Sequence, residues 1–454
     1  MRLSSPSEYK VTMTEQCQQE YSKKKKEPFL IVQQSSGLSG QVSLAGAKNA
    51  VLVSLASLLL AEGISVLHNV PASQDVHTML ALLKHLGVQT HFDEVAKIVT
   101  VDTRGINRVD VCPDLVKQMR ASVLVMGPLL ARFGAADVAV PGGCSIGSRP
   151  IEYHLSLFAQ MGVKIMHENE WVCARVSSVT GLQARRLVLE YPSVGATENI
   201  LMAATVTPGI TTIVNAALEP EVLDLVALLK KMGAHIAVVA PAMLVITGIA
   251  ALHPVEHTVI VDRLEAGTLL CAVAATGGHL VLPDARAYDL DIFLEKLRAM
   301  GHSVTVGTDG VGVELIATAN PRAVSFKTGP YPGFPTDLQA PFMVLQAVAT
   351  GKSLIEETVF ENRLMHVPAL CAMGAAIVCE RSDRARVTGG ARLQGAAVAA
   401  TDIRASAALV IAGLIANGET MISEVHHWLR GYDGLQKKLN QLGAHVQLIG
   451  QEYK

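Results

Sequence analysis

The segment of the sequence best suited to chemistry is a glycine- and proline-rich stretch around one cysteine, PGGCSIGSRP at 141–150. A structural cysteine usually lies in an apolar helix or strand, whereas this composition predicts an exposed loop. Arg149 lies in the same loop, and a guanidinium near Cys144 would stabilise its thiolate. The residues therefore point to a nucleophile or a proton donor near neutral pH, although glycine-rich loops with an incidental cysteine are also common.

Polar side chains are also concentrated at the starts of otherwise apolar segments. They are Lys48, Asn49, Arg120, Asp337, Asp402 and Arg404. An aspartate at a helix start commonly caps the helix, but an arginine does not cap and is disfavoured there by the helix dipole. Helix starts also carry unpaired N–H groups, which bind anions. The pattern predicts helix starts that converge on an anionic ligand, with capping as the alternative for the aspartates.

The segments that carry these side chains belong to a repeated unit. An amphipathic stretch that ends in Leu-Gly or Met-Gly recurs at a spacing of roughly 70 residues, which suits one small α/β unit. The endings are Leu86-Gly87, Met161-Gly162, Met232-Gly233, Met300-Gly301, Met373-Gly374 and Leu442-Gly443. We expect Gly87 to end its helix in the left-handed conformation. Before each such helix lies a small-residue segment that is apolar nearly all round, and we interpret it as an inner helix. The inner helices are predicted at 48–63, 116–134, 194–209, 262–278, 336–351 and 401–418.

Six units divide most simply into two lobes of three. The apolar segments that begin at 48 and 262 each open a set of three, so the first lobe is predicted over 48–259 and carries the Cys144 loop. The second lobe is predicted to combine 28–47 with 260–454. Residues 1–27 are polar and end in a lysine run, which is typical of a disordered tail. The fold class expected is α/β.

The composition excludes several classes of protein. Lys and Arg number 38 against 40 Asp and Glu, so the net charge of -2 favours neither nucleic acid nor a membrane surface as a partner. Seven cysteines without a CxxC pair argue against a disulfide framework or a zinc site, which favours a reducing cytoplasm. The apolar segments are too short to span a bilayer. The histidines form no ligand set in the sequence, so no metal is expected.

Several stretches of the sequence resemble one family of enzymes closely. The matching strings are AGAKNA (45–50), CPDLVKQMRASVLVMGPLLARFG (112–134), PGGCSIGSRP (141–150), PSVGATENI (192–200), FPTDLQAPF (334–342), FENRLMHVP (360–368), ATDIRASAALV (400–410) and RGYD (430–433). They are similar to the UDP-N-acetylglucosamine enolpyruvyl transferase family, from about residue 28 to the C terminus. The resemblance implies two inside-out α/β lobes, each of three units whose inner helices converge on an interdomain cleft. It also implies transfer of the enolpyruvyl group of phosphoenolpyruvate to the 3′-hydroxyl of UDP-N-acetylglucosamine, with release of phosphate. That reaction is the first committed step of peptidoglycan synthesis.

The resemblance assigns roles residue by residue. Cys144 matches a loop cysteine that takes part in proton transfer or product release and is alkylated by fosfomycin, and Asp337 matches the base that takes the proton from the sugar hydroxyl. Asp402 and Arg404 match a pair near the reaction centre. The implied substrate contacts are Lys48, Arg149 and Arg430 for phosphoenolpyruvate, Arg120 and Arg363 in the same cleft, Asn49 for the sugar, Pro150, Ile151, Glu152, Tyr153, His154, Ser193, Val194 and Gly195 for the nucleotide, and Phe360 as a further contact.

Two other interpretations stay open beside this one. The sister family that acts on shikimate 3-phosphate shares the fold, but is expected to show a Lys-Ser pair where this chain has Lys48 and Asn49. A paralogue that binds the nucleotide sugar without catalysis is the other alternative, and the retention of Cys144 and Asp337 argues against it. Leu429 departs from the aspartate that the family commonly has there. The scheme needs no cofactor, and we expect a monomer acting on two small-molecule substrates.

Overall fold

The computed structural model describes residues 28–139 and 151–450. The predicted tail and the Cys144 loop lie outside these ranges. The strands, in chain order, are β1 (Phe29–Gln33), β2 (Ser39–Gln41), β3 (Ile64–His68), β4 (Gln89–Asp93), β5 (Ile98–Asp102), β6 (Asp110–Val111), β7 (Ala135–Ala139), β8 (Val163–Glu168), β9 (Trp171–Val176), β10 (Arg186–Val188), β11 (Ile210–Val214), β12 (His235–Val239), β13 (Met243–Thr247), β14 (Glu256–Thr258), β15 (His279–Arg286), β16 (Ser303–Val306), β17 (Val311–Ile316), β18 (Phe326–Lys327), β19 (Lys352–Glu356), β20 (Ala376–Arg381), β21 (Arg384–Thr388), β22 (Ala397–Ala399), β23 (Glu419–Ser423) and β24 (His445–Ile449). The α-helices are α1 (Lys48–Ser57), α2 (Gln74–His85), α3 (Pro113–Gln118), α4 (Met126–Phe133), α5 (Glu152–Gln160), α6 (Val194–Ala204), α7 (Pro220–Lys231), α8 (Arg263–Thr276), α9 (Asp291–Met300), α10 (Gln339–Val348), α11 (Val367–Ala372), α12 (Ile403–Ile415), α13 (His426–Gly431) and α14 (Leu435–Gln441). The 3₁₀ turns are Leu58–Leu60, Arg120–Val125, Ala287–Asp289 and Thr336–Leu338.

The strands of the described residues form six four-stranded sheets of one design. The strand orders are β14-β3-β5-β4, β6-β7-β9-β8, β10-β11-β13-β12, β16-β17-β15-β2, β18-β19-β21-β20 and β22-β23-β1-β24. In each sheet a short edge strand pairs in parallel with a longer strand, and the remaining pairs are antiparallel. The α/β fold with six repeated units is thereby confirmed. β1 and β2 complete two sheets whose other strands come from 279–449, while the lobe boundaries at single residues stay a prediction.

Six glycines end the repeated outer helices as the sequence predicts. Their φ angles are 96° at Gly87, 89° at Gly162, 103° at Gly233, 102° at Gly301, 100° at Gly374 and 102° at Gly443. L side chains rarely adopt this left-handed conformation, so a glycine at the same place in each unit is a backbone requirement.

The inner helices are buried, but one of them was predicted wrongly. Residues 116–134 were expected to form a single helix, whereas α3 ends at Gln118, Met119 is extended, and a 3₁₀ turn runs from Arg120 to Val125 before α4 begins. Pro128 lies in the first turn of α4, and its ring would clash with the carbonyl four residues earlier in a continuous helix. The proline accounts for the break before α4, and Arg120 begins a 3₁₀ turn rather than an α-helix.

The buried apolar side chains form two cores. Core 1 consists of residues between 47 and 259, and core 2 of residues 30–44 and 264–446. Two chain segments cross between them side by side: Ala47 N donates to Ile260 O at 2.7 Å and Asp262 N donates to Ala45 O at 2.8 Å. Gly46 is required at this crossing, because a Cβ there would lie 1.7 Å from the carbonyl oxygen of Asn69. No helix in the described ranges is long and apolar enough to cross a bilayer.

A buried ion pair joins the two cores next to this crossing. Arg263 of α8 donates through Nε and Nη2 to the two carboxylate oxygens of Glu221 in α7, at 3.0 and 3.1 Å. The side chains are 10% and 5% exposed, so water screens the pair poorly. This pair ties the start of α8 to the opposite lobe.

Replacing Arg263 by methionine is expected to destabilise the protein by about 3 to 5 kcal/mol, since removing one partner leaves the other charge buried. The free energy of unfolding in urea measures the effect. The double variant Arg263→Met/Glu221→Leu should recover part of the loss, because neither charge then remains. An Arg263→Met variant as stable as the wild type would contradict the assignment.

Candidate active site

Asp337 lies between two arginines of the second lobe. It is in the 3₁₀ turn before α10, where Arg363 Nη2 donates to its Oδ1 at 2.7 Å and Arg404 Nη2 donates to its Oδ2 at 2.9 Å. The arginine side chains are 3% and 6% exposed, whereas that of Asp337 is 24% exposed. The structure therefore holds this carboxylate from one side and leaves it accessible from another.

A second carboxylate, Asp75, joins cations from both lobes. Lys48 Nζ, at the start of α1, donates to Asp75 Oδ2 at 3.0 Å, and Arg430 Nε of α13 donates to Oδ1 at 2.9 Å. Burial by itself would raise the pKa of Asp75, but Lys48 and Arg430 outweigh burial and leave the pKa below its ordinary value. Two of the predicted phosphoenolpyruvate cations are thus brought together.

Tyr432 connects the two carboxylate clusters. Its hydroxyl accepts a hydrogen bond from Arg404 Nη1 at 3.0 Å, and Tyr432 lines one small pocket together with Lys48. The Arg404 guanidinium also lies 5.4 Å from the centre of the Tyr432 ring. Arg404 therefore contacts Asp337 and Tyr432 at once, and the five predicted residues Lys48, Asp337, Arg363, Arg404 and Arg430 belong to one connected region.

Asp402 caps α12 with one carboxylate oxygen. Its Oδ1 accepts from the backbone N–H groups of Arg404 and Ala405 at 2.8 and 3.0 Å, and Thr401 Oγ1 donates to Oδ2 at 3.3 Å. Capping, the alternative that the sequence left open for the aspartates, is what the structure shows for Oδ1. The role near a reaction centre that the resemblance implies for Asp402 stays a prediction.

The two predicted nucleotide-binding segments lie side by side. His154, in the first turn of α5, packs on Gly195 at the start of α6: a Cβ added to Gly195 would lie 3.1 Å from His154 Cε1 and 3.3 Å from Nε2. Ser193 caps α6 by accepting from Ala196 N at 3.4 Å. Ile151 is buried, and Glu152 and Tyr153 are exposed at the start of α5. The N-terminus of α6 therefore lies next to the His154 imidazole.

Hydrogen bonds determine which nitrogen of His154 carries the proton. Asn199 Oδ1 accepts from Gly127 N at 2.8 Å, so the other end of the amide is the donor. Asn199 Nδ2 donates to Val123 O at 3.0 Å and to His154 Nδ1 at 2.8 Å, which leaves the proton on Nε2. Burial lowers the pKa of His154 to about 4, and the positive charge of Arg120 adds to the shift. His154 is a neutral N–H donor.

The structure also places four further predicted residues. Asn49 is exposed in α1, Arg120 begins its 3₁₀ turn, Val194 begins α6, and the Phe360 ring centre lies 5.5 Å from the Arg363 guanidinium. Cys144, Arg149 and Pro150 lie outside the described residues. Their roles stay predictions from the resemblance.

Sequence reasoning missed three residues that position this site. Asp75 lies outside the family-like motifs of the sequence, and Asn199 and Tyr432 lie within such motifs without an assigned role. The sequence around Asp75 and Tyr432 does not indicate their roles, because their partners are distant in the chain. Lys48 lies 27 residues from Asp75, and Arg404 lies 28 residues from Tyr432. A buried asparagine in an apolar inner helix was the signal that could have identified Asn199.

His366 is a buried imidazole in the same region. Its Nδ1 donates to Arg363 O at 3.2 Å, because a carbonyl only accepts, and its Nε2 has no hydrogen-bond partner among the described residues. Burial lowers the pKa of His366 to about 4, while the Asp402 carboxylate opposes the shift and Arg363 adds to it. The imidazole is therefore neutral at pH 7.

The wild-type protein should lose stability on acidification relative to a His366→Gln variant. The folded-state pKa is below the ordinary value, so the stabilisation is lost as pH falls through 6.5 towards 4. The loss in the free energy of unfolding, relative to His366→Gln, should approach about 2 kcal/mol at pH 5, since each pH unit below 6.5 costs about 1.4 kcal/mol. Urea unfolding at pH 7, 6 and 5 measures it, with His91→Gln, at an exposed histidine, as the control. Parallel pH dependence of wild type and His366→Gln would contradict the assignment.

Known structures share this architecture. The enolpyruvyl transferase NikO from Streptomyces tendae has a sequence 27% identical to this chain, and its crystal structure superposes with a TM-score of 0.83. The match covers 93% of this chain and 99% of NikO. An EPSP synthase from Acinetobacter baumannii is 16% identical, with a TM-score of 0.69, over the same shares, and shows the fold alone. The two-lobe fold is that of the enolpyruvyl transferases.

A family model assigns the chain more closely. The model described as EPSP synthase (3-phosphoshikimate 1-carboxyvinyltransferase) matches residues 32–439. The chain belongs to this family of enolpyruvyl transferases, and the group that it transfers comes from phosphoenolpyruvate.

Proposed function

We propose that the acceptor is the 3′-hydroxyl of UDP-N-acetylglucosamine. The chain is then a UDP-N-acetylglucosamine 1-carboxyvinyltransferase that acts in the cytoplasm and catalyses the first committed step of peptidoglycan synthesis. The motifs around Cys144, Ser193 and Asp337 support this acceptor, since they resemble the nucleotide-sugar branch of the enolpyruvyl transferases.

The observation that carries the proposal is the contact between the two nucleotide segments. His154 Nε2–H, the N-terminus of α6 and Gly195 lie together, and the absence of a side chain at Gly195 leaves the imidazole in contact with the helix start. A neutral N–H donor beside a helix N-terminus suits a diphosphate, because both present hydrogen-bond donors to an anion. A nucleoside diphosphate sugar carries that group.

Cationic side chains bind the second substrate, phosphoenolpyruvate. Phosphoenolpyruvate carries a phosphate and a carboxylate, and Lys48, Arg430 and Arg120 are the described residues that we assign to it. Arg363 and Arg404 hold Asp337 in position. Lys48 and Arg430 are held by the buried Asp75 carboxylate, so charge stabilisation requires little rearrangement.

The chemistry needs one base and one acid. Asp337 accepts the proton of the sugar 3′-hydroxyl as that oxygen bonds to C2 of phosphoenolpyruvate, and Cys144 supplies a proton to C3. The Cys144 thiolate takes back a proton from C3 of the resulting tetrahedral intermediate as the C2–O bond to phosphate breaks, and the proton on Asp337 passes to solvent. The products are the enolpyruvyl ether and inorganic phosphate.

Phosphate release from phosphoenolpyruvate tests the proposal directly. The assay compares UDP-N-acetylglucosamine, shikimate 3-phosphate and no acceptor, with the ether product identified by mass spectrometry. We expect release with the nucleotide sugar only. Release only with shikimate 3-phosphate would assign the chain to the sister activity, and binding of the nucleotide sugar without release would indicate a binding protein; either result overturns the proposal.

A further inference from the structure

We propose that Asp75 is a positioning residue that acts as the internal counter-ion of the phosphoenolpyruvate site. It holds Lys48 from the first lobe and Arg430 from the second in one arrangement before the substrate phosphate arrives. The inference rests on the proposed assignment of Lys48 and Arg430 to phosphoenolpyruvate. Asp75 itself receives no role from the sequence motifs.

The geometry shows one carboxylate shared between two cations. Each oxygen of Asp75 has its own partner, Lys48 Nζ on Oδ2 at 3.0 Å and Arg430 Nε on Oδ1 at 2.9 Å. The Asp75 and Lys48 side chains are 5% and 8% exposed, and that of Arg430 is 30% exposed. The carboxylate is therefore the buried centre of the cluster, and Arg430 forms its accessible side.

Arg430 depends on this contact for its place in the site. The preceding residue, Leu429, is apolar and packs against core 2, so it offers no carboxylate to the guanidinium. Arg430 lies near the end of the short helix α13, which Trp428 anchors in core 2. The ion pair with Asp75 crosses from the second lobe to α2 of the first lobe, and consequently it exists only when these two elements are together.

Two opposing effects follow from the negative charge of Asp75. The charge attracts Lys48 and Arg430 into a common orientation, which lowers the cost of assembling them around a phosphate. The same charge repels an incoming anion, and in a water-filled cleft one unit charge about 4 Å away changes anion binding by roughly fivefold. An anion should therefore bind more tightly when Asp75 is neutralised, although the reaction becomes slower.

The test is the Asp75→Asn variant of the full chain, which keeps the shape and removes the charge. We expect kcat to fall about 30-fold, since loss of alignment has that order of effect. We expect the Kd for inorganic phosphate, measured by calorimetry without an acceptor, to decrease by roughly threefold to tenfold. The KM for the nucleotide sugar should change by less than about twofold, because the predicted nucleotide contacts lie at the starts of α5 and α6.

The matched control is Asp110→Asn. Asp110 also pairs with two basic side chains, Arg108 Nε at 3.0 Å and His85 Nε2 at 3.3 Å, and His85 is the last residue of α2, the helix that carries Asp75. This variant should retain wild-type kcat and phosphate affinity. An effect as large as that of Asp75→Asn would mean that any lost contact of an aspartate at α2 slows the enzyme, and would overturn the proposal.

The outcomes separate positioning from a merely structural role. Unchanged kcat and phosphate affinity in Asp75→Asn overturn the proposal, and so does a joint loss of affinity for phosphate and nucleotide. If Asp75→Asn fails to fold, Asp75→Glu keeps the charge and moves it by one methylene; reduced kcat with wild-type phosphate affinity is then expected, and wild-type kcat overturns the proposal. Phosphate binding is measured without an acceptor. The calorimetry therefore still tests the role of Asp75 if UDP-N-acetylglucosamine proves not to be the substrate.

Discussion

The Asp337→Asn variant is expected to fold normally and to lose turnover about 1,000-fold, within the range for removal of a positioned general base. An amide has the shape of the carboxylate but cannot accept the proton from the sugar hydroxyl. Steady-state phosphate release measures kcat and both KM values. The KM for phosphoenolpyruvate should remain within a few-fold of wild type, because the residues assigned to that substrate are unchanged.

The arrangement around Asp337 is the reason for expecting a loss in kcat. Arg363 donates a hydrogen bond to Oδ1 at 2.7 Å and Arg404 donates one to Oδ2 at 2.9 Å. Together they fix the plane of the carboxylate. The asparagine Nδ2 would face one of these guanidinium groups as a donor against a donor. The variant therefore combines a lost base with one lost hydrogen bond, and a small loss of thermal stability accompanies the loss of turnover.

A surface aspartate provides the matched control. Asp383 pairs with Arg381, with Nε to Oδ1 at 3.0 Å, and both side chains are largely exposed. Asp383→Asn removes an aspartate-arginine contact in the second lobe and should leave kcat unchanged. If Asp337→Asn retained kcat within about threefold, Asp337 would not be the base, and Asp402 would become the carboxylate to test next.

Fosfomycin should inactivate the wild-type enzyme and leave a Cys144→Asp variant active, with the inactivation rate reduced at least about 100-fold. A thiolate opens an epoxide, whereas a carboxylate is a far weaker nucleophile. Aspartic acid can still donate a proton, so turnover should be kept. Residual activity against time of incubation gives the rate, and mass spectrometry identifies the alkylated residue.

Cys379→Ala is the control for this experiment. Cys379 is exposed, and burial of part of its side chain raises the pKa of its thiol, so it is a poor nucleophile at neutral pH. Removing it should leave inactivation by fosfomycin at the wild-type rate. Equal inactivation of wild type and Cys144→Asp would reject Cys144 as the target.

The repeated architecture could be predicted because its signals are local. Each outer helix has an apolar stripe and ends at a glycine such as Gly87 or Gly301, and both features lie within one stretch of chain. The inner helix at 116–134 was predicted wrongly, although its proline is also local. Apolar composition favours a continuous helix there, whereas Pro128 prevents the turn before it from joining α4 in one α-helix.

The types of the site residues could likewise be predicted, while their partners could not. Lys48, Asp337, Arg404 and Arg430 stand out by type, by position at helix starts or by resemblance to a family. Nothing along the chain indicates that Arg430 pairs with Asp75, which lies 355 residues earlier. Ion pairs of this kind depend on how two lobes are placed, and that placement is not a periodic property of any segment.

The sequence by itself determined the α/β units, the helix ends and the residue types available for anion binding and proton transfer, because propensity, hydrophobic periodicity and family motifs all act over short distances. Only the tertiary structure decided the pairing of Asp75 with Lys48 and Arg430, and the tautomer of His154. Burial makes unpaired polar groups costly, so each of these side chains takes the partner that the folded chain brings within reach. That choice depends on contacts between distant segments and appears only when the fold is complete.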